Sequence, residues 1–377
     1  MSLFGNLFKT RGTSVLGVDI GSSAIKIVQI RKKNGQAVLE TYGELSLGPY
    51  GNAVIGQAVQ IPPEKIAEAL SDLMKEKEVN VTTRVSGLSI PFASSLMTEI
   101  ELPAVSLKQL GTMVPIEARK YIPVPISEVQ LDWSVIPKTD MKPVAEAEKG
   151  PPALVDPGKP VPVNIPKLDI LVVAIHNDTI SKYQTIVTRA ELQAKFFEIE
   201  LFSTMRAIVD EPLRPVMIMD IGAASTKIYV VERGIVKASH TVNRGAQDIT
   251  KTISQSLGLT VEKAEVAKRE FGLTGDKQLA DVIKLSLDYI FSEANRALLS
   301  YEKKSNRAVG KVYLIGGGAA LKGLVDVAKE NFKTEVVAGD PFGKLSTPAF
   351  LTQVLRETGP EFAVAIGLAL RMLVEME

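Results

Sequence analysis

Alternation of apolar and polar positions opens the chain with three strands, at residues 15–20, 24–31 and about 36–45. Asn34-Gly35 separates the second from the third, the dipeptide that best fits the twist of a two-residue hairpin. Pro62 and Pro63 then introduce a helix whose apolar positions Ile66, Ala69, Leu70, Leu73 and Met74 fall on one face. Residues 79–90 read as a further strand containing Gly87, and 95–102 as another. Ser106 with Gln109 forms a capping box for a helix through Arg119. Residues 129–136 alternate around Trp133, which the pattern assigns to a core. The stretch 137–166 holds eight of the chain's 21 prolines and reads as a long loop. A buried strand at 168–175 follows, and Asp178 is placed to cap a helix over 179–193.

The opening grammar returns about two hundred residues later. Strands at 216–220, 225–232 and 235–242 flank the Asp-Ile-Gly turn at 220–222 and the Arg233-Gly234 turn. In register, Asp19-Ile20-Gly21 and Lys26-Ile27 match Asp220-Ile221-Gly222 and Lys227-Ile228, five identities in nine positions. This predicts an internal duplication with one hairpin per lobe. Beyond it the periodicity is helical, over 247–257, 261–270 and 277–304. A short strand at 311–315 runs into Gly316-Gly317-Gly318, with a helix from about 320 to 331 and a closing helix over 361–374.

Composition narrows the chemistry. The 377 residues carry 44 basic and 43 acidic side chains, so nothing biases the whole chain toward nucleic acid. There are no cysteines and two histidines, His176 and His240, which removes disulfides, thiolate nucleophiles and zinc fingers. No apolar run approaches the ~20 residues of a membrane span, and residues 1–11 lack a signal-peptide layout. A cytoplasmic protein is expected. Leu3, Phe4, Leu7 and Phe8 would share one helical face ahead of Lys9 and Arg11. That face suits a weak membrane or partner contact, docking on its own domain, or no order at all.

Phosphate needs several donors at close range, and backbone amides supply them where side chains are small. Gly21, Ser22 and Ser23 offer amides and two hydroxyls; Gly222, Ala223 and Ala224 offer amides. Asp19 and Asp220, at the strand ends beside these turns, would repel phosphate unless a divalent cation intervened, usually through its waters. Two facing hairpins therefore point to a Mg²⁺–triphosphate clamp. Gly316 to Gly318 follow a strand, but neither a dinucleotide fingerprint nor a P-loop is present. Glu265 and Lys268 share a helix face, as a ribose contact or as a solvated ion pair.

The order of hairpin, helical crossover near 200–210, second hairpin, Ala-Glu-x-x-Lys, strand with Gly-Gly-Gly and closing helix resembles the actin-like ATPases. Within them the insertion after the 79–90 strand is similar to that of the division protein FtsA. The opening Leu-Gly-Val-Asp-Ile-Gly-Ser-Ser-Ala-Ile-Lys, residues 16–26, resembles the type IV pilus assembly PilM family, over nearly the whole chain. The resemblance implies a two-lobed α/β actin-like (ribonuclease H-like) fold with an FtsA-type insertion. The first lobe (subdomain 1A) would comprise 1–90, 194–212 and 361–377. The insertion, 1C, would comprise 91–193, and the second lobe 213–360, with subdomain 2B at about 246–310. It implies ATP and Mg²⁺ as ligands. Asp19, Gly21, Ser22, Ser23 and Lys26 match the first phosphate motif, and Asp220, Gly222, Ala223, Ser225 and Thr226 the second. Gly316, Gly317, Gly318, Glu265 and Lys268 match the adenosine side. Gly245 and Asp248 sit where FtsA-like proteins carry a Gly-Gly pair, from which Ala246 departs. Glu200 falls near the position that orients water in hydrolysing relatives; its alternative is a helix-start carboxylate.

That family implies a scaffold at the cytoplasmic face of the inner membrane, with slow ATP hydrolysis at most. Its partner would be the amino-terminal cytoplasmic peptide of PilN, held in a groove between 1A and 1C. Other platform proteins and motor ATPases are further partners in this reading, with no nucleic acid. Two alternatives remain open. An FtsA-like polymerising protein is disfavoured because only residues 373–377 follow Met372, and a sugar or metabolite kinase because no sugar pocket with a carboxylate base is evident.

Overall fold

The computed structural model describes residues 13–136, 166–210 and 213–376. The expected proline-rich loop, apart from Pro166, and the amino-terminal apolar face lie outside the described residues. Two compact units are present, one of Phe92–Ser181 and one of the chain before and after it.

The larger unit begins with β1 (Ser14–Ile20), β2 (Ala24–Lys33) and β3 (Gln36–Ser46), paired antiparallel. Asn34 and Gly35 take φ of 52° and 79°, the left-handed pair that a tight hairpin requires. Helix α1 (Pro63–Lys75) buries Ile66, Ala69, Leu70, Leu73 and Met74 against this sheet, and β4 (Val85–Ile90) joins β1 in parallel. Each large side chain so buried contributes roughly 1.5–3 kcal/mol.

The smaller unit contains β5 (Ser95–Pro103), α2 (Leu107–Ala118), β6 (Val129–Ile136) and β7 (Lys167–His176). Its sheet runs β5-β7-β6, antiparallel throughout, around a core of Ile100, Val114, Ile170 and Val172. The Ser106–Gln109 capping box is formed in full. Trp133 packs at the margin of this core, half-buried. The unit ends inside α3 (Asn177–Arg189), whose later residues Tyr183 and Ile186 belong to the core of the larger unit.

The chain then adds β8 (Gln193–Ile199) parallel to β4 and enters α4 (Glu200–Ile208). A second sheet follows, from β9 (Val216–Ile221), β10 (Thr226–Glu232) and β11 (Ile235–Val242). Helices α5 (Ala246–Leu257), α6 (Val261–Glu270) and α7 (Lys277–Ser305) precede β12 (Lys311–Ile315). After it come α8 (Leu324–Asn331), β13 (Glu335–Ala338), α9 (Thr352–Thr358) and α10 (Ala363–Glu375).

The two five-stranded sheets have one topology: β3-β2-β1-β4-β8 and β11-β10-β9-β12-β13. Each opens with three antiparallel strands and closes with two parallel ones. The repeat read from nine positions therefore extends to whole sheets.

Three expectations need correction. The strand at 79–90 is confined to β4, because the Gln29 side chain accepts from the backbone N–H groups of Thr82 and Thr83, so these amides bond a side chain. The helix placed at 179–193 runs from Asn177 to Arg189, so Asp178 lies in its first turn and Gln193 starts β8. The helix placed at 320–331 begins at Leu324, after Gly323 at φ +81°.

Candidate functional site

Both duplicated hairpins close in the same way. The Gly21 N–H donates to the Ala24 carbonyl at 3.0 Å, and the Gly222 N–H to the Ser225 carbonyl at 3.0 Å. In each, the aspartate faces a lysine across the antiparallel pair, Asp19 opposite Lys26 and Asp220 opposite Lys227. The turn carbonyls are held from behind: Ser22 and Ser23 accept from Val59 and Leu47, and Gly222 and Ala223 from Ala246 and Gln247. The turns themselves line one cleft of about 330 Å³ within the larger unit.

Into that cleft the fold brings Asp19, Gly21, Ser22, Ser23, Lys26, Asp220, Gly222, Ala223 and Ser225. Glu200, Glu265, Lys268 and Gly316 to Gly318 join them. Three expected residues, Thr226, Gly245 and Asp248, stand outside the lining. Thr226 is fully buried, its hydroxyl donating to the Arg244 carbonyl at 2.9 Å. Gly245 caps α5 from the position before it, its N–H donating to Asp248 Oδ2 at 2.9 Å, and a Cβ there would collide with the Gly222 and Ala223 carbonyls. Its glycine is needed for that close approach. Gly316, at φ +80°, is pressed equally hard against Asp220 and Ile221.

Glu265 and Lys268 are not a solvated pair but a buried one, at 2.7 Å. Thr250 donates to Glu265 at 2.6 Å and accepts from Lys268 at 2.9 Å, and Arg269 donates to Glu265 at 2.6 Å. Against the upward push of burial, Lys268, Thr250 and Arg269 hold the Glu265 carboxyl below its usual range. Burial lowers the Lys268 ammonium, with Glu265 opposing.

Several lining residues escaped sequence reasoning: Glu44, Gly56, Lys227, Arg269 and Glu361. Lys227 had a signal, since it is one of the five repeat identities. Its ammonium lies 2.8 Å from Glu200 and 3.3 Å from Asp220. Lys26, its counterpart, lies farther from its carboxylates, 3.6 Å from Glu44 and 3.9 Å from Glu361. Burial, reinforced by Glu44, pushes the Glu361 carboxyl up to about 7.

The lining carries six carboxylates, Asp19, Glu44, Glu200, Asp220, Glu265 and Glu361, against the four cations Lys26, Lys227, Lys268 and Arg269. Burial raises the Asp19 carboxyl to about 6; Glu200 adds to the shift, while Lys26, the 2.7 Å bond from Ser89, and Lys227 oppose it. A polyanion would enter this cleft only with a cation, and Asp19 and Asp220 fit a divalent ion held through its waters. Among the described residues no group of three His, Cys, Asp or Glu is arranged to hold a metal by itself. His176 and His240 take no part; His240 lies exposed, 3.2 Å from Glu293.

The family model of the type IV pilus assembly protein PilM matches residues 17–148 and 158–373. The chain is 21% identical over 354 residues to the cell division protein FtsA of Streptococcus pneumoniae serotype 2 (strain D39 / NCTC 7466), covering 85% of this chain and 74% of that protein. It is 20% identical over 354 residues to FtsA of Enterococcus hirae, covering 85% and 77%. Among solved structures it is similar to a PilM-PilN type IV pilus biogenesis complex, with TM-score 0.75 and 25% identity over 95% of this chain and 98% of that one. The ethanolamine utilization protein EutJ of Carboxydothermus hydrogenoformans shares the fold, with TM-score 0.55 and 14% identity over 95% and 89%. The fold is the two-lobed actin-like one, with the β5–β7–β6 unit as its insertion. Among the described residues no helix is long and apolar enough to cross a membrane.

Proposed function

The chain belongs to the type IV pilus assembly protein PilM family, and from that premise we propose that it is an ATP-binding scaffold of the pilus inner-membrane platform. The single observation that carries the nucleotide half is the cleft lined by two hairpins of identical hydrogen bonding, each with its Asp–Lys pair. ATP enters with Mg²⁺, its phosphates against the amides of Gly21 to Ser23 and Gly222 to Ser225. Asp19 and Asp220 hold the ion through water, and Lys26 neutralises phosphate charge. Glu265, Lys268 and Gly316 to Gly318 take the adenosine.

Likeness to a PilM-PilN complex supports the second half, that the amino-terminal peptide of PilN is the partner. An extended peptide gains affinity from main-chain pairing and specificity from alternate side chains in pockets. Attachment to the inner-membrane face then comes through that partner. Nucleotide acts by population shift, favouring whichever arrangement of the lobes binds it better.

The test is a calorimetric titration of a PilN amino-terminal peptide into the chain preloaded with Mg²⁺–ATP. One-to-one binding, micromolar or tighter, is the expected result. Retained ATP binding with no peptide heat would remove the platform reading and leave the FtsA-like alternative. Separately, Asp19→Ala should weaken Mg²⁺–ATP binding by roughly tenfold or more with the fold intact; unchanged affinity would sink the assignment of the cleft.

A further inference from the structure

Glu200 occupies a particular place in the cleft. It is the first residue of α4, reached directly from β8, and is 92% removed from solvent, with 8% exposure. Its charge is felt at Asp19 on the first hairpin, and its carboxylate meets Lys227 on the second. It therefore shares an ammonium with Asp220 and lines the same cleft as both aspartates, on the phosphate side of the nucleotide reading. There it can accept a hydrogen bond from a water lined up on the terminal phosphorus.

Hydrolysis of a nucleoside triphosphate is assisted by a residue that orients the attacking water. The water oxygen bonds to the terminal phosphorus, and the bond from that phosphorus to the bridging oxygen breaks. The electron pair leaves with the nucleoside diphosphate. A water proton passes to the acceptor and is returned to the inorganic phosphate. An acceptor already committed to a buried ammonium has less to offer that water.

The two lysines of the repeat differ on this point. Lys26 keeps ion-pair distances of 3.6 and 3.9 Å and can turn to phosphate. Lys227 sits 2.8 Å from Glu200 and 3.3 Å from Asp220; both lysines are largely buried, with 12% and 17% of the side chain exposed, so the distances alone separate them. The duplication has thus supplied two ammoniums in equivalent positions, one at long ion-pair distances and one held close between two carboxylates.

We propose that Lys227 restrains Glu200, so that the cleft binds nucleoside triphosphate tightly enough to be occupied but turns it over slowly. This rests on the nucleotide reading of the cleft given above. Lys227 is a positioning residue: it acts on the reaction through Glu200 and not by touching the reacting atoms.

The full chain is loaded with Mg²⁺–ATP, and both the single-turnover hydrolysis rate and the ATP affinity are measured, for the parent, Lys227→Met, Lys227→Arg and Lys227→Met/Glu200→Gln. Lys227→Met should raise the rate by ~10-fold or more. Affinity should stay within about tenfold of the parent. Lys227→Arg, which keeps the ion pair, should stay slow, and the double variant should fall back to the parental rate. A merely structural lysine would leave the rate unchanged or lower it in Lys227→Met, and that result overturns the proposal. An increase that survives Glu200→Gln overturns it too. Where Lys227→Met does not fold by circular dichroism, Lys227→Gln decides by the same direction of change. A parent chain that binds no ATP at all removes the nucleotide reading itself, which is a different failure from ATP bound and turnover unmoved.

Discussion

Glu361 is a pH-sensitive carboxyl of the cleft. Burial comes first and the neighbouring Glu44 second in raising Glu361 to about 7, with Lys26 and Arg269 opposing. In the unfolded chain this carboxyl ionises near its ordinary value of 4.5. Between those two values the folded state keeps a proton that the unfolded state has released, so folding stability falls as pH rises. The contribution is fully present below pH 4.5 and gone once pH has passed through about 7. Thermal melts of the ligand-free chain should therefore show higher stability at pH 5 than at pH 8. Glu361→Gln should flatten that segment and add on the order of 2 kcal/mol at pH 8. An unchanged slope in the variant would mean that the proton belongs to another group. No local pattern flags Glu361, because a glutamate two residues before a helix is ordinary until the end of β3 brings Glu44 beside it.

Elements were legible where the sequence carries its own turn chemistry, and illegible where a side chain or an unusual residue substitutes for it. Asn34-Gly35 announces its hairpin. Arg233-Gly234 adopts the same left-handed pair, φ 54° and 75°, with an arginine where asparagine costs less. Arg233→Asn is accordingly expected to stabilise the chain by about 0.5–1 kcal/mol in denaturant melts. A loss instead would mean that the Arg233 side chain makes the larger contribution. The end of α3 hides for a related reason: Glu191 takes φ +53° after the helix, a place where glycine is the usual signal, so the pattern ran on into β8. The lost half of the 79–90 strand is a side-chain effect, with Gln29 reaching 53 residues along the chain to Thr82. At α10 the packing is tight enough that a Cβ on Gly367 would run into the Ser203 carbonyl of α4, and one on Gly17 into the Ala365 carbonyl. Gly367→Ala should then cost roughly 1–3 kcal/mol through overpacking, read as an earlier denaturant midpoint; a neutral result would require α4 to shift without penalty.

Across the larger unit, the duplication decides what one sequence could reveal about the cleft. Motifs that are local in sequence were readable: the two hairpins, the Gly316–Gly318 turn, and Glu265 with Lys268. Residues that reach the cleft through tertiary packing, Glu44, Gly56, Arg269 and Glu361, were not, since no spacing connects them. The packing also supplies a link between the repeats. Gly56, at φ +88°, lies against Glu265 and Arg269 of α6, and the Ala58 N–H donates to Gln247 Oε1 of α5 at 3.2 Å. The loop after β3 therefore touches α5 and α6, which follow the second hairpin. A ligand held by both hairpins stabilises only states in which these surfaces stay together. At a hundredfold excess over its dissociation constant it adds about 2.7 kcal/mol against any opening that separates them. Hydrogen exchange with and without Mg²⁺–ATP should then slow together at 21–24, 222–225, 56–58 and along α6. Protection confined to one hairpin would mean that the nucleotide is bound by one repeat alone, and the Asp–Lys pair of the other would then be a relic of the duplication rather than half of a clamp.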